Sequence, residues 1–151
     1  MRASSRLLLI VVPAVALASA DLIVKATVAT PWWAFHHRSD GWVALGVAFL
    51  VGACALALVP SRAVALAAGI TSGGVIGNLA SARANANRVP NPFVIGAYAH
   101  GIAFNLADVF ILLGNALLMT ALIVTAVRHR HRLAPPRAWE RALLRQLRLG
   151  S

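Results

Sequence analysis

The chain has 151 residues, of which 60% are hydrophobic and 12% charged, and its net charge is +10. Soluble domains usually carry about a quarter charged residues, so the composition excludes an ordinary soluble fold. It points to an integral membrane protein with length for about four helices. The positive charge does not imply nucleic acid: most arginines flank apolar segments or crowd the C-terminal tail, no nucleic-acid motif interleaves them, and anionic lipid is the simpler partner.

Residues 1–20 resemble a secretory signal peptide, with Arg2 and Arg6 ahead of an apolar run and Ala18-Ser19-Ala20 as a cleavage-like triplet. The rival reading is a first membrane helix over about residues 7–24. We favour the helix, because apolar character resumes after Ala20 and Pro13 would only kink it. Asp21 and Lys25 stand at i and i+4 and can pair at its end; such a pair also occurs as a surface ion pair of little worth.

A connection over residues 26–41 carries an aromatic girdle, Thr30-Pro31-Trp32-Trp33-Ala34-Phe35, suited to the lipid–water boundary. His36-His37-Arg38 follows. Adjacent histidines point to different faces of a helix or strand, so headgroup contact is the better reading. No metal or other cofactor is expected.

A second helix is expected over about residues 42–59, with its single cysteine, Cys54, as a small packing residue, and a turn at Pro60-Ser61-Arg62. A third covers about residues 63–80 with small residues every fourth place: Ala65, Gly69, Gly73, Gly77 and Ser81. That stripe lets helices approach closely and would bring Asn78 and its neighbours close to the polar stripe of the last helix. Residues 82–102 are rich in turn formers, among which Val89, Phe93, Val94, Ile95 and Tyr98 allow a short strand or interfacial piece.

The fourth helix is expected over about residues 103–127. Asp108 lies at its mouth, and a carboxylate there is expensive and a functional candidate. Asn105 lies one turn before Asp108, and Asn115 seven residues after it, about 20° around the helix. One polar stripe is therefore expected, either as a working site or as a bonding surface for neighbouring helices. The chain thus divides into a membrane domain, residues 1–127, and a basic tail, residues 128–151. In the tail Arg137, Arg141, Arg145 and Arg148 share one helical face opposite leucines, as in an amphipathic helix on an anionic lipid surface.

Arg2, Arg6, Arg62 and seven tail arginines fall on one side, and Lys25, Arg38, Arg83 and Arg88 on the other. By the positive-inside rule both termini are cytoplasmic. Asp21, Asn78, Asn105 and Asp108 then gather from three helices at the outer face.

These residues resemble those of the lipoprotein signal peptidase (signal peptidase II) family over about residues 21–115. Asp21-Leu22-Ile23-Val24-Lys25 is similar to its Asp-x-x-x-Lys. Gly73-Gly74-Val75-Ile76-Gly77-Asn78-Leu79 is similar to its Gly-Gly-x-x-Gly-Asn-Leu box, and Phe104-Asn105-Leu106-Ala107-Asp108 to its Phe-Asn-x-Ala-Asp box. The resemblance implies an all-α integral membrane protein of four transmembrane helices, with a small extracytoplasmic β-cradle, in a bacterial-type cell (inner) membrane. It implies an aspartyl dyad that cuts a signal peptide ahead of a diacylglyceryl-modified cysteine.

The departures bear on mechanism. The Gly-Asn-Leu box normally continues x-Asp-Arg; here it continues Ala80-Ser81-Ala82. The Asn-Gly-Ala box that follows the girdle in the family is eroded here to Ser39-Asp40-Gly41-Trp42. The stretch that carries the second dyad aspartate reads Val89-Pro90-Asn91-Pro92-Phe93. By resemblance Asp108 is one catalytic aspartate and Asn91 replaces the other; Asn78, Asn105, Asp21, Lys25 and Asn115 are the candidate substrate-binding residues. An aspartyl peptidase needs two carboxyls sharing a proton, and an asparagine cannot exchange one. The expectation is a family-like protein that binds a lipid-modified prolipoprotein or a helical membrane partner, with impaired or absent aspartic endopeptidase activity. The alternatives are an active peptidase in which Asp21 or Asp40 pairs with Asp108, and a non-catalytic subunit. A serine peptidase using Ser72 or Ser81 has no histidine or lysine near by spacing and no nucleophile elbow.

Overall fold

A computed structural model describes residues 2–96 and 101–130. Its elements in order are α1 (Ala3–Thr27), a 3₁₀ turn (Trp32–Ala34), β1 (Phe35–His37), α2 (Asp40–Ala55) prolonged by a 3₁₀ turn (Leu56–Leu58), α3 (Arg62–Ala84), β2 (Arg88–Pro90), β3 (Phe93–Ile95), β4 (Ile102–Phe104) and α4 (Leu106–Arg128). The structure is mostly helical, and all four α-helices are long and apolar enough to cross a membrane. Two two-stranded sheets accompany them, so the described fold is not purely α. Contacts cluster into two units, Met1–Ala121 and Leu122–Ser151. Tyr98 and the expected amphipathic tail helix beyond Arg130 lie outside the described residues.

The first unit is organised around α3. The apolar window of α3 is 61% buried, against 22% for α1 and 11% for α4. Small residues make this possible. A Cβ on Gly69 would stand 2.7 Å from the Ile10 carbonyl oxygen, one on Gly73 2.8 Å from the Leu17 side chain, and one on Gly77 2.5 Å from Asp21 Oδ2. Partners on α1 rise in number with those on α3, so the two helices run parallel in close contact. Gly74 and Thr71 meet Ala107 and Gly114 of α4 in falling order, so α4 is antiparallel to α3. The C-terminal ends of α1 and α3 and the N-terminal end of α4 therefore come together. At the other end Arg6 Nε donates to the Ala57 carbonyl (2.7 Å), tying the start of α1 to the turn after α2.

Helix ends follow local chemistry. Ser39 and Ser61 cap α2 and α3, their hydroxyls accepting from Trp42 N–H (3.3 Å) and Val64 N–H (3.4 Å). α3 outruns its expected end at residue 80 and stops where Ala86 (φ 50°) and Asn87 (φ 61°) turn left-handed. α1 continues unbroken through Pro13 and packs on α3, which is the helical alternative for the N-terminal stretch. Cys54 is exposed, contrary to the expected packing role.

β1 pairs antiparallel with β2, Phe35 opposite Pro90 and His37 opposite Arg88. β3 pairs with β4, Phe93 opposite Phe104, with their rings 5.6 Å apart. Residues 102–104, of which 103 and 104 are expected from sequence to open the fourth helix, are thus strand, and α4 begins at Leu106.

Candidate functional site

The N-terminus of α4 leaves backbone N–H groups without intrahelical acceptors, and polar side chains of the chain supply them. Asn105 is the cap: its Oδ1 accepts from Asp108 N–H (3.0 Å), and Asp108 Oδ2 accepts from Asn105 N–H (3.2 Å). This reciprocal pair is a capping box, a polar residue followed three places later by an acid. Asp21, from α1, caps the next group: its Oδ1 accepts from Ala107 N–H (2.9 Å). Both carboxylates sit at the end of α4 where the helix dipole favours negative charge.

From this cap a network crosses three helices. Lys25 Nζ donates to Asp21 Oδ2 (2.6 Å) and to Asn78 Oδ1 (2.8 Å). Asn78 Nδ2 donates to Asp108 Oδ1 (2.9 Å). The Lys25 and Asp21 side chains are only 4% and 0% exposed. A pair so enclosed is tolerated because each ion has further hydrogen bonds. The ion pair read at i, i+4 is therefore a buried junction of α1, α3 and α4, not a surface pair.

The network also reaches the sheets. Asn105 Nδ2 donates to Asn91 Oδ1 (2.5 Å) and to the Pro90 carbonyl (3.4 Å), and Asn91 Nδ2 faces His36 Nδ1 at 2.9 Å. Asn91 lies between the two sheets, flanked by prolines that cannot donate to a ladder. Its own N–H donates to the Ala34 carbonyl (3.1 Å), continuing the β1–β2 pairing. In that register Asn91 is the diagonal cross-strand neighbour of His36.

Six of the seven site residues expected from sequence, Asp21, Lys25, Asn78, Asn91, Asn105 and Asp108, thus join one network. Asn115 does not. It is exposed and lines a separate cavity of about 210 Å³ with Trp42, Phe49, Thr71, Val75 and Ile111. The expected continuous polar stripe on α4 is broken at both ends, because Asn105 precedes the helix as its cap. Asp40 is exposed in the first turn of α2, and none of the hydrogen bonds among the described residues joins it to the network. His36 is the member that sequence reasoning passed over: its pairing partner is set by strand register, which the motif spacing does not encode.

Chemically, Asp108 is one half-buried carboxylate held by amide and backbone donors. Among the described residues no second carboxyl adjoins Asp108: Asp21 reaches it only through Lys25 and Asn78, and one of its oxygens is held in the ion pair with Lys25. Asn91 is 0% exposed with both ends of its amide bonded. A cavity of about 350 Å³ lies beside the network, lined by Leu22, Lys25, Thr30, Phe35, Ser81 and Pro90 among others. Lys25 and Ser81 share it, a proximity their spacing did not reveal. Lys25 is committed to Asp21 and Asn78, and an ammonium in an ion pair is not a base for a serine hydroxyl. Ser72 Oγ is buried without a hydrogen-bond partner among the described residues. No metal-binding cluster of histidine, cysteine and acids occurs among the described residues. No protein-family model matches the chain, and no curated protein does either.

Proposed function

We propose that the chain is a multi-pass membrane protein resembling signal peptidase II that binds a lipid-modified prolipoprotein or a helical membrane partner, with aspartic endopeptidase activity impaired or absent. In this reading α1 to α4 cross a bacterial-type cell membrane with both termini cytoplasmic. The junction of α1, α3 and α4 then lies at the outer face, where the small sheets stand in for a β-cradle. The arginine-rich tail faces anionic lipid inside.

The observation that carries the reading is the state of Asp108: a single carboxylate bonded by Asn78 and Asn105, with the fully bonded amide of Asn91 where a second acid would be needed. Such a site can accept hydrogen bonds from a bound peptide backbone. It lacks the proton-sharing pair that amide hydrolysis by aspartates requires. Loss of one general acid/base partner commonly costs about 10²–10⁴-fold in rate.

The test is to incubate the purified full chain, in lipid nanodiscs, with a fluorescent diacylglyceryl-prolipoprotein. Saturable capture without a cleavage product is the expected result. Cleavage that disappears in Asp108→Asn would replace this reading with an active peptidase. Absence of capture, with a stoichiometric membrane protein that co-purifies regardless of Asp108→Asn, would replace it with a structural subunit.

A further inference from the structure

The hydrogen bonds from α4 to β1 can run in only one direction. Asp108 N–H is a backbone donor, so the Asn105 atom facing it at 3.0 Å is the carbonyl oxygen. The Pro90 carbonyl is a backbone acceptor, so the Asn105 atom facing it at 3.4 Å is the amide nitrogen. Asn105 is thus pinned from both ends by groups that cannot exchange roles. Its amide nitrogen donates to Asn91, whose oxygen must therefore face it. That leaves the Asn91 NH₂ toward His36 Nδ1 at 2.9 Å. An NH₂ group has no lone pair to offer, so Nδ1 is the acceptor and the ring proton resides on Nε2.

We propose that His36 is a positioning residue of the Asp108 site, held as the neutral Nε2–H tautomer, and that protonating it releases Asn91 from the relay. The proposal deepens the functional reading above and rests on Asp108 being the working group. Protonation would set Nδ1–H against the Asn91 NH₂, donor against donor. Asn91 cannot answer by flipping, since its NH₂ would then meet the NH₂ of Asn105. Asn105 cannot flip either, with Asp108 N–H and the Pro90 carbonyl fixing it. The conflict therefore leaves through His36: its ring turns away, which an exposed residue can do. Asn91, fully buried, is left with an unaccepted NH₂. The titratable and charged groups around this corner are His37 on β1, Arg38 directly after it, Arg88 on β2 opposite His37, Asp40 at the start of α2, and Asp108 and Lys25 through the relay. The response to acid is therefore assigned to His36 by substitution.

The test uses the full chain in nanodiscs with ¹⁵N-labelled histidine and asparagine, titrated from about pH 8 to about pH 5. The His36 ring signals are identified by their loss in His36→Asn. That variant offers a side-chain oxygen where Nδ1 stood, so it keeps an acceptor for Asn91 and cannot titrate. The expected result is an unprotonated Nδ1 and protonated Nε2 at pH 8. As His36 gains its proton, exchange of the Asn91 side-chain NH₂ should rise about tenfold in the wild type relative to His36→Asn at the same pH. A proton on Nδ1 at pH 8, or Asn91 exchange that follows pH equally in both proteins, would overturn the proposal. These readouts need no ligand. Failure to capture prolipoprotein at any pH would strike the functional reading while leaving the relay standing.

Discussion

If a missing carboxyl is what limits chemistry at this site, Asn91→Asp should create activity. The substitution keeps the shape of a side chain that is 0% exposed. One oxygen of the new carboxyl continues to accept from Asn105 Nδ2, now at 2.5 Å from Asn91. The other replaces an NH₂ and faces His36 Nδ1 at about the present 2.9 Å, where the imidazole can supply a proton from its other tautomer. Asp108 would then have a second acid one asparagine away, in a network that already orders both. Recovering general acid/base assistance is worth about 10²–10⁴-fold, or about 3–5 kcal/mol of barrier at about 1.4 kcal/mol per decade. Burying another carboxylate works against this, so the lower end is the expected gain: about 10² over wild type. The assay is cleavage of diacylglyceryl-prolipoprotein in nanodiscs by wild type, Asn91→Asp, and Asn91→Asp combined with Asp108→Asn. Activity should appear in the second and vanish in the third. An Asn91→Asp protein that melts and captures substrate like wild type yet cleaves nothing would refute the reasoning, because the acid would be present and insufficient.

Other expectations concern the junction itself and are read by thermal unfolding in detergent. Asp21→Ala should destabilise by about 3–5 kcal/mol, since it strips a buried ammonium of its counter-ion and Ala107 N–H of its acceptor; a loss below about 1 kcal/mol would show that Asn78 alone satisfies Lys25. Gly77→Ala should cost about 1–3 kcal/mol, because its Cβ would stand 2.5 Å from Asp21 Oδ2. Gly52→Ala, with nothing within 4 Å, should instead gain about 0.5–1 kcal/mol from helix propensity. Like signs for the two glycines would discredit the close-approach account of α3. Asn105→Ala should lose about 1–3 kcal/mol through the uncapped α4 and the orphaned Asn91 oxygen; an unchanged melting temperature would mean the capping box contributes nothing.

Much of the junction was legible because it depends on local spacing. The i, i+4 separation of Asp21 and Lys25 put them on one side of a helix, and the fourfold spacing of Gly69, Gly73 and Gly77 marked a close-approach surface, although the helix it meets is α1 and not the last one, which Gly74 meets instead. Four long apolar runs became four long apolar helices. What was misread was the start of α4. Residues 102–104 are apolar and suit either a strand or a helix; pairing with Phe93 to Ile95 decided the matter, and that partner is distant in sequence. The informative signal was present in Asn105 and Asp108, whose spacing is a capping-box pattern as well as a motif. Read as a cap, it would have set the helix boundary and removed Asn105 from the proposed stripe. Asn115 was assigned by angle alone, which ignores which neighbours surround each turn, and the structure gives it a different cavity. His36 reads from sequence only as a headgroup contact, since adjacency to His37 says nothing of a diagonal partner across β2.

The capping box also changes what the motif resemblance can mean. Asn105 and Asp108 hold the spacing they do because each satisfies the other's backbone N–H, a requirement of α4 whether or not the site ever cleaves a bond. Asp21 and Lys25 are likewise tied to the helix end and to Asn78. A chain could keep all of these residues for the sake of its junction and lose catalysis at one position. Position 91 is where the structural and chemical demands part. An asparagine there satisfies Asn105 with its oxygen and His36 with its nitrogen, and so completes the scaffold while removing the proton. An aspartate could not do both without changing the protonation of His36. In the proposed reading, the residue that completes the scaffold is also the one that leaves Asp108 without a second carboxyl. That is why we read the site as built for holding a partner, with the Asp108 carboxylate as acceptor and the surrounding amides as its fixed frame.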